Sequence, residues 1–349
     1  MGRNDGFTIN DTLQVKGIAI VMMLFHHLFG FPDRIPQGIT LIDVQIKGQM
    51  LSYYVAVFCK LCVAVFVFLG GVGTYYSFRN DQKEIKKAFT KIFRLYKTYW
   101  IVFAVFVPVG FALGTQRFDI TTFIKSAMGI SHAYCAEWWF FLPYIVVALQ
   151  YAIMCRWFEK THNILIELTF IVAVFLCSKY VIQELPSEFR SFLPISVFLS
   201  GTDFLPGFLL GAFFAKHDIL GNVKKKILQW PKLYILPISI VMIVCVFCLR
   251  QKIGDVYDSF LASLFVLITA ILLWMLPKRC TRVLVELGNY SMVMWLCHTF
   301  YCYQFIPRTL YSLRAPLVIL LALVGMSFFS SVALQSVSKI LYNLIKKQS

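Results

Sequence analysis

Two adjacent histidines end an apolar run, Lys16-Gly-Ile-Ala-Ile-Val-Met-Met-Leu-Phe-His26-His27. Imidazole exchanges protons near neutral pH, and an ionisable group in an apolar segment is costly enough to need a reason. On a helix the step from Lys16 to His27 turns through about 1100°, leaving the two about 20° apart on one face and about 16 Å apart along the axis. His26 is rotated from Lys16 by about 80°. The spacing selects His27 as the histidine aligned with the lysine. The structural alternative is that both rings bond to neighbouring helices.

Gly288, Ser291, Trp295 and His298 recur at intervals of 3, 4 and 3, so they share a helix face. That face either offers another imidazole or is a small-residue packing surface. Lys91 and Arg94 lie three apart at the edge of an apolar run. Two cations on one face suit a polyanion such as a phosphate, although a basic run can also be a solvated topogenic loop. Glu137-Trp138-Trp139 opens another run. Paired Trp is normally an interface anchor, and Glu137 beside it could bind a polar substrate. Cys59/Cys62 and Cys245/Cys248 have C-x-x-C spacing but sit in Phe/Val-rich stretches. They read as small hydrophobes, and no metal is expected.

The elements that hold these residues follow from composition. Of 349 residues, 59% are apolar and 14% charged, and mean hydropathy is +0.73. A span needs about 20 apolar residues, so the supply covers roughly ten. A cytosolic enzyme, a secreted domain and a disordered chain are excluded. Continuous rather than alternating apolar runs disfavour a β-barrel. The expectation is an all-α integral membrane protein forming a single domain over 1–349. Candidate spans are 14–31, 53–78, 98–115, 138–155, 164–182, 192–215, 233–249, 258–276, 283–306 and 316–342. Lys60 interrupts the second, either snorkelling or marking where the span proper starts. The first is expected to be a retained helix rather than a signal peptide. Loop 116–137, rich in Phe, Ile and Thr, is expected to dip into the interface.

With ten spans, the clusters Arg79–Lys97, Lys216–Lys232, Lys278–Arg282 and Lys346–Lys347 fall on one side. That side holds 22 basic residues against ten on the other. The positive-inside rule then makes both termini cytoplasmic. The same rule accounts for the net charge of +16, so no nucleic-acid partner is expected; the partner is the lipid bilayer.

Taken in order, these motifs resemble the acyltransferase-3 family of multi-pass membrane O-acyltransferases. Lys16, ten residues, then His27 is similar to its first-span R/K-x10-H pattern, and Lys91-x-x-Arg94 to its R-x-x-R segment. Phe66-Val-Phe-Leu-Gly70-Gly71 resembles its F-F-x-L-S-G stretch, and Trp139-Phe-Phe-Leu the opening of its fourth span. Gly288-Asn-Tyr-Ser291 through His298 is similar to its late G-x-x-S…H segment. The resemblance covers spans 1 to 4 and 9. Gly70 stands where serine is usual, Lys91 where arginine is, and Lys97 where proline is common; the extracytoplasmic domain that some members append is not expected here.

The resemblance implies transfer of an acyl group, usually acetyl, from cytoplasmic acyl-CoA to a hydroxyl of an extracytoplasmic glycan or glycolipid. It points to a cell-envelope enzyme of a bacterial plasma membrane. Lys16, Lys91 and Arg94 would hold the CoA phosphates, and His27 would act as general base or acyl carrier. His298 would bind the acceptor or assist proton transfer, with Glu137, Trp138, Trp139 and Ser291 toward the acceptor. The rivals are a flippase or transporter of lipid-linked sugars or small anions, and a non-catalytic partner in an envelope-synthesis complex. The first is opposed by the scarcity of membrane carboxylates and of paired broken helices.

Overall fold

The computed structural model describes residues 6–79 and 83–348. Arg3 lies outside them, as do the side chains of Lys346 and Lys347. The described chain is almost wholly helical; its strands are Gln45–Ile46 and Gln49–Met50, one short antiparallel hairpin. Among the described residues, eight helices are long and apolar enough to cross a membrane. A ninth arises if Leu193–Thr202 and Leu205–Lys216, bent by 41° at Asp203 and Phe204, form one span. The expected span 283–306 is also helical, as Lys278–Thr299 continued by the wider π-type turns Phe300–Phe305. It is not among the apolar eight, because Glu286, Asn289, Ser291 and His298 interrupt its hydrophobic residues. Lys60 and Leu61 form a turn that interrupts the second span.

The chain divides into two compact units. The first comprises Met1–Lys16, Leu61–Ile92 and Phe140–Val285. Its central contact is Cys62–Phe78 against Leu205–Lys216, and glycine makes it possible. A Cβ on Gly71 would lie 1.9 Å from the Phe208 carbonyl oxygen, and one on Gly211 2.0 Å from that of Phe68. Such backbone approach is how small residues bind helices where lipid removes the hydrophobic drive. Glu167, wholly buried, receives Lys216 Nζ at 2.7 Å and sits 2.7 Å from His217 Nε2. Lys216 also donates to the carbonyls of Phe158 and Thr161, tying three helix ends together. Gly70 packs against the Tyr144 ring: a Cβ there would lie 2.7 Å from the Tyr144 hydroxyl, so that ring would have to shift to admit a side chain.

The second unit comprises Gly17–Lys60, Phe93–Trp139 and Glu286–Ser349. It contains most of helix Ile9–Phe29, the later turns of Glu84–Ala112, most of Lys278–Thr299, and Pro316–Gln348. Loop 116–137 carries a short helix, Ile120–Ala127, capped by Asp119, whose carboxylate accepts from the Thr122 amide at 2.7 Å. That hydrogen bond holds the Asp119 carboxyl below its ordinary value. Phe118, Ile120, Ile124 and Met128 are exposed around this helix. The helix is anchored from the other side by Tyr99 and Trp100, which donate to the carbonyls of Ser126 and Ala127. An exposed apolar face on a pinned amphipathic helix fits an element lying in the interface.

Candidate active site

His27 and His298 meet inside the second unit. His298 Nε2 lies 2.9 Å from His27 Nδ1, and both residues are buried. His27 comes from the last turn of Ile9–Phe29 and His298 from the last turn of Lys278–Thr299. The π-type turns that follow His298 are a departure from regular helix of the kind that recurs at functional sites.

The hydrogen bonds assign the tautomers. His298 Nδ1 lies 2.7 Å from the Trp295 carbonyl and 3.2 Å from that of Met294. Carbonyl oxygens only accept, so Nδ1 carries the proton. In neutral His298 the proton-free Nε2 then accepts from His27 Nδ1–H. Neutral His27 is left with its lone pair on Nε2, the tautomer a general base requires. His26 is used differently: its Nδ1 donates to the Ala56 carbonyl at 2.8 Å, a packing role.

A second chain of contacts fixes the backbone under His27. Arg34 follows the first helix and pairs with Glu137 at 2.7 Å. Its guanidinium lies over the rings of Phe31 and Tyr303, 4.3 Å and 4.7 Å from their centres. Partial burial opposes its charge, yet hydrogen bonds to Glu137 and Tyr303 hold its pKa above the ordinary value. The Tyr303 hydroxyl in turn donates to the His27 carbonyl. Tyr311 donates to the Leu28 carbonyl at 2.8 Å. Phe31 stacks parallel to the His27 ring, with centres 6.3 Å apart.

The remaining sequence-predicted residues take separate places. Glu137, buried, bonds to Arg34 rather than standing open, and Cys135 Sγ lies 3.8 Å from its other oxygen. Trp138 is buried and donates to the Leu296 carbonyl at 2.9 Å, locking its segment onto the His298 helix. Trp139 is 43% exposed, as an interface anchor would be. Ser291 donates to the Gly288 carbonyl of its own helix at 2.8 Å. Lys16 is half-buried on the unbroken helix that carries His27. Lys91 and Arg94 share a helix but not surroundings. Lys91 Nζ sits 3.5 Å from Thr74 Oγ1 and over the Phe78 ring, whereas Arg94 lines a cleft with Lys97 and Lys339.

Sequence reading missed Arg34, Tyr303 and Thr299, whose hydroxyl lies 3.2 Å from Cys135 Sγ. Arg34 and Tyr303 follow His27 and His298 by seven and five residues, a proximity that offered a weak signal.

No curated protein and no solved structure matches the chain. One family model does, over residues 14–335, described as an acyltransferase domain. That match spans the histidine pair, its Arg34–Glu137 support and nearly all the apolar helices, so the chain belongs to the acyltransferase-3 family of membrane acyltransferases.

Proposed function

We propose that this acyltransferase takes an acyl group, most simply acetyl, from cytoplasmic acyl-CoA and delivers it to a hydroxyl of an extracytoplasmic carbohydrate or glycolipid. The membrane is a bacterial plasma membrane. Counting the bent pair and Lys278–Thr299 as spans gives ten, with both termini cytoplasmic by the positive-inside rule.

The observation that carries the reading is the ordered imidazole pair. His27 Nε2 holds a lone pair because His298 accepts from Nδ1–H. As the acceptor oxygen attacks the thioester carbonyl carbon, Nε2 takes the hydroxyl proton. Collapse of the tetrahedral intermediate breaks the C–S bond, and the proton passes from His27 to the departing thiolate, leaving the ester and free CoA. His298 positions the base and receives hydrogen-bond density as His27 becomes an imidazolium, much as the third member of a catalytic triad does. Covalent acylation of His27 Nε2 before transfer uses the same lone pair. The Arg34–Tyr303–His27 chain keeps the histidine backbone from shifting, which matters because a small misplacement costs rate steeply.

The test is His27→Ala in purified protein. Acyl transfer should vanish while acetyl-CoA still raises the melting temperature by mass action. Full transfer activity in the variant would remove His27 from the chemistry. Absence of any shift with wild type at saturating acetyl-CoA would remove the donor.

A further inference from the structure

We propose that the basic corner joining helix Ile219–Ile227 to the span Lys232–Ile253 is a docking surface for anionic phospholipid headgroups. The proposal needs only that Lys232–Ile253 crosses the membrane; it uses neither the acyl donor nor the histidines. In the orientation proposed above, these headgroups belong to the cytoplasmic leaflet.

The corner lies wholly within the first unit. Helix Ile219–Ile227 turns one face inward: Leu220 and Gly221 are buried, and Val223, Lys224 and Ile227 are half-buried. On that face Lys224 Nζ pairs with Asp11 at 2.8 Å and lies over the Trp274 ring. Trp274 Nε1 donates to the other Asp11 oxygen at 2.9 Å. An internal ion pair therefore holds the helix against its unit and leaves its other lysines outside. Lys225 and Lys226 are exposed, as is Lys232, and among the described residues none of the three has a hydrogen-bond or ion-pair partner. No aspartate or glutamate occurs in the sequence between Asp218 and Asp255.

The bilayer identifies the occupant. Leu233, Ile238, Val241 and Val244 are exposed along Lys232–Ile253, so this span faces lipid over much of its length. Trp230, 65% exposed, stands just before it, followed by Pro231. An exposed Trp at the mouth of a lipid-facing span sits at headgroup level. Hydrogen-bonded turns connect it to the helix, the Gln229 and Trp230 amides donating to the Lys226 and Ile227 carbonyls. At about 1.5–2.0 Å per residue, Lys226 is about 6–8 Å from Trp230 along the axis. A charged surface acts over about 8 Å at physiological salt, so the lysines lie within reach of lipid phosphates. A bilayer surface is an extended anion, and the cations need not converge on one point to bind it. Basic residues on an amphipathic helix beside a span, with apolar anchors, are the pattern that binds acidic leaflets.

The test is local crosslinking. Phosphatidylglycerol and phosphatidylcholine, each carrying a photoactivatable group near the headgroup, would be crosslinked to the full-length protein in phosphatidylcholine nanodiscs. Adducts are then quantified on the peptide spanning residues 228–234. Wild type should give more phosphatidylglycerol than phosphatidylcholine adduct there. Lys225→Gln, Lys226→Gln and Lys232→Gln together should cut that excess about fivefold or more, the effect of one lysine near an anionic surface. Arginine at all three positions should keep it. Wild-type melting temperatures in phosphatidylcholine show that the variants fold. If the glutamine triple melts early, Lys225→Gln alone carries the test and should lower the excess by part of that factor. Equal yields of the two lipids in wild type, or an excess unchanged by the glutamine changes, overturn the proposal. So does loss of the excess in the arginine triple, which would make packing rather than charge the cause. Weakened acetyl-CoA binding in the glutamine triple with the lipid excess intact would assign the lysines to a soluble phosphate and overturn the lipid assignment.

Discussion

Replacing His298 tests the tautomer argument more sharply than replacing the base. In the wild type, His27 Nδ1 lies 2.9 Å from His298 Nε2, the ring also hydrogen-bonds the Met23 backbone of its own helix, and the pair is buried. In His298→Ala the ring loses its acceptor on the other helix and is left with the Met23 backbone alone, free to turn its proton away from the vacated side. A fully unsatisfied buried donor costs about 1–3 kcal/mol, which sets the upper range for a ring that keeps a backbone partner. The ring escapes this by moving its proton to Nε2 or by rotating, and either removes the lone pair from the substrate side. At about 1.4 kcal/mol per decade, the productive form falls by roughly 5- to 150-fold, and kcat with it. His298→Gln should recover part of the loss, because its amide oxygen reaches the position of Nε2. His27→Ala removes the base itself, worth about 10²–10⁴-fold. The double variant should be no worse than His27→Ala, since His298 acts through His27 and such effects do not add. The assay is consumption of radiolabelled acetyl-CoA by membrane vesicles containing the natural acceptor, with acetyl-CoA binding measured on the same variants. A kcat for His298→Ala within twofold of wild type would refute the relay. So would a double variant whose loss equals the product of the two single losses.

Three further outcomes concern the scaffold. Gly211→Val should lower the melting temperature and the yield of monodisperse protein by fluorescence size exclusion. Its Cβ would start 2.0 Å from the Phe68 carbonyl oxygen, and overpacking costs about 1–3 kcal/mol or more; an unchanged melting curve would contradict the close helix contact. Lys216→Met should destabilise by less than the about 3–5 kcal/mol of a stranded buried charge, because His217 Nε2 still lies 2.7 Å from the Glu167 carboxylate, and adding Glu167→Leu should recover much of the loss; the comparison is made by thermal melting of the single and double variants. Arg34→Gln should destabilise more than Glu137→Gln, because the first leaves a buried carboxylate without its cation while the second keeps an acceptor for Arg34; the reverse order of melting temperatures would show the pair is not what holds the segment.

Much of the site was legible in sequence for a simple reason. A buried imidazole in an apolar run is conspicuous whatever packs against it, so His27 and His298 stood out. Trp138 and Trp139 were legible as a pair but not individually. Only packing separates the exposed anchor Trp139 from Trp138, which is buried and bonded to Leu296. Ser291 shares a face with His298 in sequence, yet its hydroxyl is satisfied by its own helix. Lys91 and Arg94 are equivalent cations in sequence, and their neighbours differ. Arg34 was hidden because an arginine in a polar loop is unremarkable until a buried glutamate 103 residues later pairs with it.

Hydropathy, motif order and basic clusters follow from residue type and local period, and those suffice for the helices, the family and the candidate chemistry-bearing residues. Which polar atoms face one another is settled by packing. The His27–His298 bond joins residues 271 apart, and the Arg34–Glu137 pair depends on two segments meeting. A hydrogen bond needs its donor and acceptor about 3 Å apart, and a helical spacing rule acts along one helix without specifying what a different helix brings to it.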